Sequence, residues 1–312
     1  MKPRIVISTS SFGVMSRRPL ELLEAFGAEY ALNPYGRKLR AEESMELLRE
    51  AHGVIAGTER LDRAVLEQAP RLRIISRCGT GVDNIDLEAA AERGLRVCTT
   101  PEAPVDGAAE VTLAGMLNVL RRLGEADRRL RAGAWEKPMG GLLRGRTVGI
   151  IGLGRVGKAV VKLLQPFAVR LLAFDPQRDD AFAAQYGVSY TDFAKVVQEA
   201  EILTLHCAYS PTLHHLLDRA TLSVMKPGAI LVNCARGGLV DEQALYELLR
   251  AGRLAGAYLD TFELEPYVGP LTELPNVLLS PHIGSYAAEC RVRMEVEAVE
   301  NVLRFFRNER GA

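Results

Sequence analysis

The sequence predicts an α/β protein built from two doubly wound parallel sheets. Three observations carry that expectation. Short aliphatic or β-branched runs alternate with helical patterns nearly from end to end. Most of those runs are continuously apolar, as strands covered on both faces must be. The length, 312 residues, is long for one core and short for three, which suggests two domains. Candidate strands are Arg4–Ser8, Gly53–Ala56, Leu72–Ser76, Leu95–Cys98, Thr147–Ile151, Arg170–Phe174, Ile202–Leu205, Ala229–Asn233, Gly256–Asp260 and Val277–Leu279. The helical patterns between them imply βαβ units.

A long apolar helix from about Val105 to Leu130 separates an N-terminal block from a middle block. The segment Thr99-Thr100-Pro101-Glu102-Ala103-Pro104 precedes it and reads as a connection. Val111, Leu113, Ala114, Met116, Leu117, Val119 and Leu120 leave the first half of that helix apolar nearly all round. It is therefore either an interior helix or a subunit interface. At the other end, Ala287–Phe306 is amphipathic, with Val292, Val296, Val299, Leu303 and Phe306 at helical spacing. This helix is expected to pack back on the first block. The first domain would then be discontinuous, residues 1–100 plus 286–312, with residues 101–285 inserted.

Composition narrows the function classes. Apolar residues make up 48% and charged residues 25% of the chain, which excludes disorder as the main state. Lysine plus arginine (39) balances aspartate plus glutamate (39). A general nucleic-acid or anionic-membrane binder would need a basic excess, so neither partner is expected; a small local basic pocket is still compatible. Met1-Lys2-Pro3-Arg4 runs directly into a strand, without a secretion signal. No apolar run approaches the roughly 20 residues that span a bilayer. Cys78, Cys98, Cys207, Cys234 and Cys290 are scattered, odd in number and form no C-x-x-C pair. No disulfide framework or metal site is expected, and the chain reads as cytoplasmic and reduced.

The strongest motif is Gly152-Leu153-Gly154-Arg155-Val156-Gly157. Alone it would be weak, but a candidate strand runs into it and a helical pattern leaves it. A second strand then ends in Asp175, 23 residues after Gly152. Gly152 permits the tight turn, Gly154 lets backbone approach a pyrophosphate, and Gly157 lets helix and strand pack closely. With Arg155 and Val156 opening the helix, unpaired N–H groups face the phosphates. Asp175 can accept hydrogen bonds from ribose hydroxyls and would repel a 2′-phosphate, so NAD is expected over NADP, with nearby Arg178 tempering the preference. The middle block is thus read as a Rossmann-type NAD domain.

Three further segments stand at or after candidate strand C-termini, where open α/β sheets bind ligands: Asn233–Asp241, Asp260–Pro266 and Pro281–Ser285. Hydride transfer between a hydroxyl carbon and nicotinamide needs a proton acceptor, a group tuning it, and a cation holding the substrate. His282 can take the proton. Glu265 beside it would fix the tautomer and favour the charged form. Arg236 can grip a carboxylate with a bidentate fork. Singly, each has an ordinary explanation: a loop cap, a solvated acid, a pairing of Arg236 with Asp241 or Asp260. Cys207, Cys234, Asp260 and Gly284, at or beyond the same strand ends, complete the expected cofactor contacts.

At these residues the chain resembles the D-isomer-specific 2-hydroxyacid dehydrogenases over essentially its whole length. The resemblance also covers Cys78-Gly79-Thr80-Gly81-Val82-Asp83-Asn84-Ile85-Asp86. It implies that Arg236 binds substrate, Glu265 tunes the histidine and His282 transfers the proton. It further implies that Cys78, Gly79 and Thr80 offer backbone N–H groups to a substrate carboxylate. The active site would lie in the cleft between the two domains, and a homodimer would clasp through the Val105–Leu130 region. Arg77 before the loop looks like the phosphate-binding arginine of the phosphoglycerate-oxidising members. With Arg60 it would form a basic pocket, making 3-phosphoglycerate the first substrate expectation and glyoxylate or hydroxypyruvate the second. Gly57, where many such members carry another basic residue, weakens this. His206-Cys207-Ala208-Tyr209 lacks the proline often found there. A C-terminal regulatory domain is not expected, because the chain stops after its last helix.

The competing class is an NAD-sensing binding protein like the corepressors that share this fold. The chain shows almost no flexible tail and keeps all three catalytic side chains, which favours the enzyme. His214-His215 read as surface histidines, His206 as a residue lining the cofactor. Trp135 reads as either core packing or a contact at a partner's cleft.

Overall fold

The computed structural model describes residues 2–310. It divides into two compact units, one made of the segments through Pro104 and from Ser285 onward, the other Val105–Gly284.

The first unit holds a five-stranded parallel sheet, order β2-β1-β3-β4-β5. Its strands are β1 (Arg4–Ile7), β2 (Glu29–Leu32), β3 (Gly53–Ala56), β4 (Ile74–Arg77) and β5 (Arg96–Cys98). Successive side chains go to opposite faces and both faces are covered. Ile5, Ile7, Ile55 and Ile74 join one core, while Val6, Val54, Ala56 and Ile75 join the other. The C-terminal helix Ala288–Arg310 contributes Met294, Ala298, Val299, Val302, Leu303 and Phe306 to the first of these cores. Its buried stripe is rotated from the expected one, with Val292 and Val296 only half-buried.

The second unit holds a seven-stranded parallel sheet, order β12-β11-β10-β9-β6-β7-β8. The strands are β6 (Thr147–Ile151), β7 (Arg170–Phe174), β8 (Val188–Tyr190), β9 (Ile202–Leu205), β10 (Ile230–Asn233), β11 (Gly256–Leu259) and β12 (Val277–Leu279). Ile151, Leu203, Leu205 and Leu231 face one core; Val148, Ile150, Ile202 and Val232 face the other. Strand order reverses between β6 and β9. The crevice outside that reversal is where such sheets receive ligands.

Four expectations need correction. The single helix from Val105 to Leu130 is two, Val105–Arg121 and Leu123–Arg131, broken at Arg122 in a left-handed conformation (φ 53°). Its apolar first half is not buried all round either: Gly107, Ala109, Thr112, Gly115 and Met116 face inward, while Ala114 is exposed. β2 and β8 were not expected. Both are sheet edges with partly exposed side chains, so neither carries the continuous apolar run of a central strand. β4 begins and ends later than expected, which makes Arg77 its last residue, buried in the strand row.

Candidate active site

The dinucleotide cradle forms where β6 ends. Gly152 has φ 92°, a left-handed backbone that only glycine adopts without strain. A Cβ there would also lie 2.5 Å from the Cys207 nitrogen after β9. A Cβ on Gly157 would meet the Gly152 carbonyl oxygen at 2.3 Å, so helix Arg155–Leu164 packs hard on the turn. At Gly154 a Cβ would meet nothing within 4 Å, and no side chain caps that helix end. The first N–H groups of a ten-residue helix therefore face open space bounded by glycine, the arrangement a pyrophosphate requires. Asp175 closes the far end of β7. Its Oδ2 accepts from the Leu153 N–H at 2.7 Å and its Oδ1 from the Gln177 N–H at 2.7 Å. That pins the carboxylate beside the glycine turn. Arg178 turns away from it, donating to Asp180 at 2.7 Å and lying over the Tyr190 ring. The residues fit NAD, and the arginine that could have welcomed a 2′-phosphate is engaged elsewhere.

Of the other residues expected around the cofactor, Cys207 and Cys234 stand just beyond β9 and β10. Burial pushes the Cys207 thiol up to about 11 and the Cys234 thiol up to about 12, so both stay protonated. His206 is held neutral, its pKa lowered to about 4 by burial, and its Nε2 lies 2.9 Å from Thr204 Oγ1.

An imidazole–carboxylate pair is assembled by the ends of β11 and β12. Nδ1 of His282 lies 3.0 Å from Oε2 and 3.2 Å from Oε1 of Glu265. Burial would raise the Glu265 carboxyl, but the His282 hydrogen bond and charge, the Phe262 N–H and the Arg236 charge outweigh it and lower it. Glu265 is thus ionised and can hold a proton on Nδ1, which turns Nε2 to face outward. His282 itself sits at φ 55°, unusual for a side chain with a Cβ.

Asp260 explains how that backbone is held. The sequence reading placed it on the cofactor; the structure shows it fully buried, with three donors on its carboxylate. Ser280 Oγ donates at 2.6 Å, the Ile283 N–H at 2.8 Å and the Gly284 N–H at 2.7 Å. The Tyr258 hydroxyl lies 2.8 Å from Ser280 Oγ. Ser280 and Asp260 follow the aligned pair Leu259 and Leu279 of β11 and β12. A search for polar residues just past neighbouring parallel strands would have found this anchor from sequence.

Arg236 follows β10 and is half-buried. One of its N–H groups donates to the Ala235 carbonyl at 2.8 Å, and its own carbonyl accepts from Asn233 Nδ2 at 2.8 Å. Asp241 is occupied as the cap of helix Glu242–Arg250, and the Arg236 charge helps lower the Glu265 carboxyl. Within the first unit, Cys78 and Gly79 are buried and Thr80 is exposed at the end of β4. Arg77 donates to the Cys78 carbonyl, and a Cβ on Gly79 would meet its Nη1 at 2.6 Å. Arg60 is exposed and pairs with Asp62 at 3.5 Å. Trp135 is 82% exposed, which removes the core-packing reading.

Fold and site together define a dinucleotide-binding oxidoreductase with an imidazole–carboxylate pair at the carboxyl ends of its strands. Residues 113–284 match the family model described as D-isomer specific 2-hydroxyacid dehydrogenase, NAD binding domain. A glyoxylate reductase from Thermococcus litoralis is 37% identical over 85% of this chain and 83% of its own length. A D-3-phosphoglycerate dehydrogenase from Methanocaldococcus jannaschii is 38% identical over 87% of this chain and 53% of its own. The chain thus spans about half the length of that relative. A solved structure from Thermus thermophilus superposes with a TM-score of 0.87 at 37% identity, covering 96% of both chains. The chain belongs to the D-isomer specific 2-hydroxyacid dehydrogenases and is an NAD-dependent oxidoreductase.

Proposed function

We propose that the chain interconverts a D-2-hydroxy acid and its 2-oxo acid, with His282 exchanging the hydroxyl proton. The pairing of His282 Nδ1 with Glu265 at 3.0 Å carries this reading. Gly152, Gly154, Arg155, Val156, Gly157 and Asp175 would hold NAD, with Cys207, Cys234, Asp260 and Gly284 bordering the nicotinamide end. Bound NAD supplies the hydride acceptor. In the oxidative direction His282 Nε2 takes the hydroxyl proton as hydride leaves C2, so that no bare alkoxide forms. Glu265 stabilises the positive charge the imidazole acquires. Arg236 orients the substrate carboxylate and polarises the C2 oxygen. The expectation that the Cys78 loop offers its N–H groups to a carboxylate fails at two of its residues: the Cys78 N–H donates to the Ala56 carbonyl at 2.9 Å and the Gly79 N–H to Thr100 Oγ1 at 2.8 Å.

For the substrate we favour a small unphosphorylated acid, glyoxylate or hydroxypyruvate. Three observations support it. The Arg77 guanidinium is buried on its own loop at Cys78. Arg60 is turned to Asp62. Gly57 and Ser8, at the ends of β3 and β1, donate to the buried Glu59 carboxylate at 3.1 Å and 2.5 Å. An internal anion therefore already takes donors that a phosphate would need. The reading as 3-phosphoglycerate dehydrogenase keeps Arg77 at the head of the loop in its favour. A steady-state panel of 2-hydroxy acids with NAD or NADP, and of 2-oxo acids with NADH or NADPH, tests both: turnover of glyoxylate or hydroxypyruvate is expected, and turnover confined to phosphorylated acids would reverse the order.

We also propose a homodimer, formed through helices Val105–Arg121 and Leu123–Arg131. Exposed Leu130, Trp135, Met139 and Leu142 support it, since a run of such residues next to those helices marks an interaction surface. Sedimentation showing a monomer at micromolar concentration would remove it. Among the described residues no helix is long and apolar enough to cross a membrane. All five cysteines are unbridged, in keeping with work in the cytoplasm.

A further inference from the structure

His214 and His215 stand apart from the proposed proton-handling pair in sequence, yet His215 touches both the Arg236 loop and the loop that carries Glu265. Its backbone is left-handed (φ 52°), and its N–H donates to the Gly238 carbonyl at 2.8 Å, two residues past Arg236. From there the chain runs beside the Arg236 loop, with Leu217 bridged to Val240 in parallel. On its other side, Nε2 of His215 forms a short hydrogen bond to Glu263 Oε1. Glu263 lies two residues before Glu265, and its N–H donates to Glu242 Oε1 at 2.8 Å.

The two loops meet directly under this imidazole. A Cβ on Gly237 would lie 1.8 Å from the Phe262 carbonyl carbon and 2.2 Å from the Glu263 nitrogen. No side chain fits there, so a shift of Phe262–Glu263 is felt at once by Arg236. The Phe262 N–H in turn donates to Glu265 Oε1 at 3.2 Å. Three carboxylates crowd the turn: Glu242, Glu263 and Glu265. Burial, opposed by the Glu263 N–H and joined by the charges of Glu263 and Glu265, raises the Glu242 carboxyl. His215 faces this acidic group. Asp218 lies close enough to feel its charge, and the His214 ring stacks on it at 3.9 Å, with Tyr209 edge-on beyond.

We propose that His215 is a positioning residue for the reaction: by clasping Glu263 while holding the Gly238 carbonyl, it fixes the Phe262–Glu265 turn so that Glu265 meets His282 and Arg236 keeps its place. The chain of contacts is short and each link is a named bond. Loss of the imidazole leaves Glu263 facing two like charges with its hydrogen-bond donor gone. The turn then relaxes outward and carries Glu265 off Nδ1. This inference rests on the reading of His282 and Glu265 as the proton-handling pair.

The test is steady-state oxidation of the best 2-hydroxy acid from the panel by NAD, with the full chain, for His215→Ala, His215→Gln, Glu263→Ala and His282→Ala. Misplacement of a supporting group costs about ten- to a hundredfold in rate. His215→Ala is expected to lower kcat by that factor while KM for NAD stays within about twofold. Its acidic limb in the kcat/KM profile is expected to move to lower pH, because the base loses its carboxylate partner. His215→Gln, whose amide can still donate to Glu263, is expected to recover most of the rate with the limb restored. The proposal is overturned if His215→Ala keeps both wild-type kcat and the wild-type limb, or if His215→Gln is as impaired as His215→Ala. Should His215→Ala fail to fold, Glu263→Ala decides: the same loss and limb shift support the clasp, and wild-type behaviour overturns it. A fully active His282→Ala would instead remove the underlying reading, whereas an inactive His282→Ala with a normal His215→Ala removes only this proposal.

Discussion

Glu265 lies against Nδ1 of His282, at 3.0 Å through Oε2 and 3.2 Å through Oε1, so that one carboxylate brackets a single ring nitrogen. The same carboxylate accepts the Phe262 N–H. Two donors therefore share two oxygens, and the geometry fixes which face of the imidazole is offered outward.

His282→Ala removes the proposed proton acceptor and is expected to lower kcat by at least about a hundredfold. NAD affinity, measured by fluorescence titration, should stay near wild type. Retained turnover would show that another group handles the proton.

Glu265→Gln keeps the shape but removes the charge. Its lowered carboxyl pKa means that the ionised form is stabilised by folding. The sign follows: this contribution is fully present above the ordinary carboxylate value of about 4.3 and is lost as pH falls below it through the folded value. The difference in Tm between wild type and Glu265→Gln is therefore expected near neutrality and should shrink as pH falls below that ordinary value. A difference that does not shrink there would contradict the assignment.

Asp260→Ala leaves the donors of Ser280, Ile283 and Gly284 without their acceptor in a fully buried place. The expected cost is about 2–4 kcal/mol of stability, read by urea denaturation. kcat should fall with it, because His282 depends on this loop for its left-handed backbone. Stability equal to wild type would mean that water replaces the carboxylate without loss.

Asp175→Ala removes the carboxylate held beside the glycine turn by Leu153 and Gln177. KM for NAD is expected to rise about tenfold, the cost of a charged hydrogen bond, and the NAD over NADP ratio should fall. An unchanged ratio would locate the discrimination elsewhere.

The glycine run, Asp175 and the strands flanking them were readable because each has a steric or electrostatic task that few residues perform. Arg236, Glu265 and His282 were readable as chemistry, though their distances were not, because neighbouring parallel strands bring together residues far apart in the chain. β2 and β8 escaped since an edge strand needs no continuous apolar run. The break at Arg122 escaped because neither glycine nor proline marks it. That Asp260 also holds the Ser280–Gly284 loop with its oxygens was hidden, because an aspartate at a strand end looks the same in either role. His215 was passed over as a surface residue, and its 33% side-chain exposure agrees with that. What the sequence hides is the left-handed turn that aims it at Glu263.

Every group assigned to cofactor and proton handling lies between Val105 and Gly284, on one uninterrupted stretch of polypeptide, whereas the loop of Cys78, Gly79 and Thr80 belongs to the other unit. On the proposed roles, the redox groups and Arg236 could therefore be carried into another protein as one continuous piece, leaving the flanking segments to change beside it.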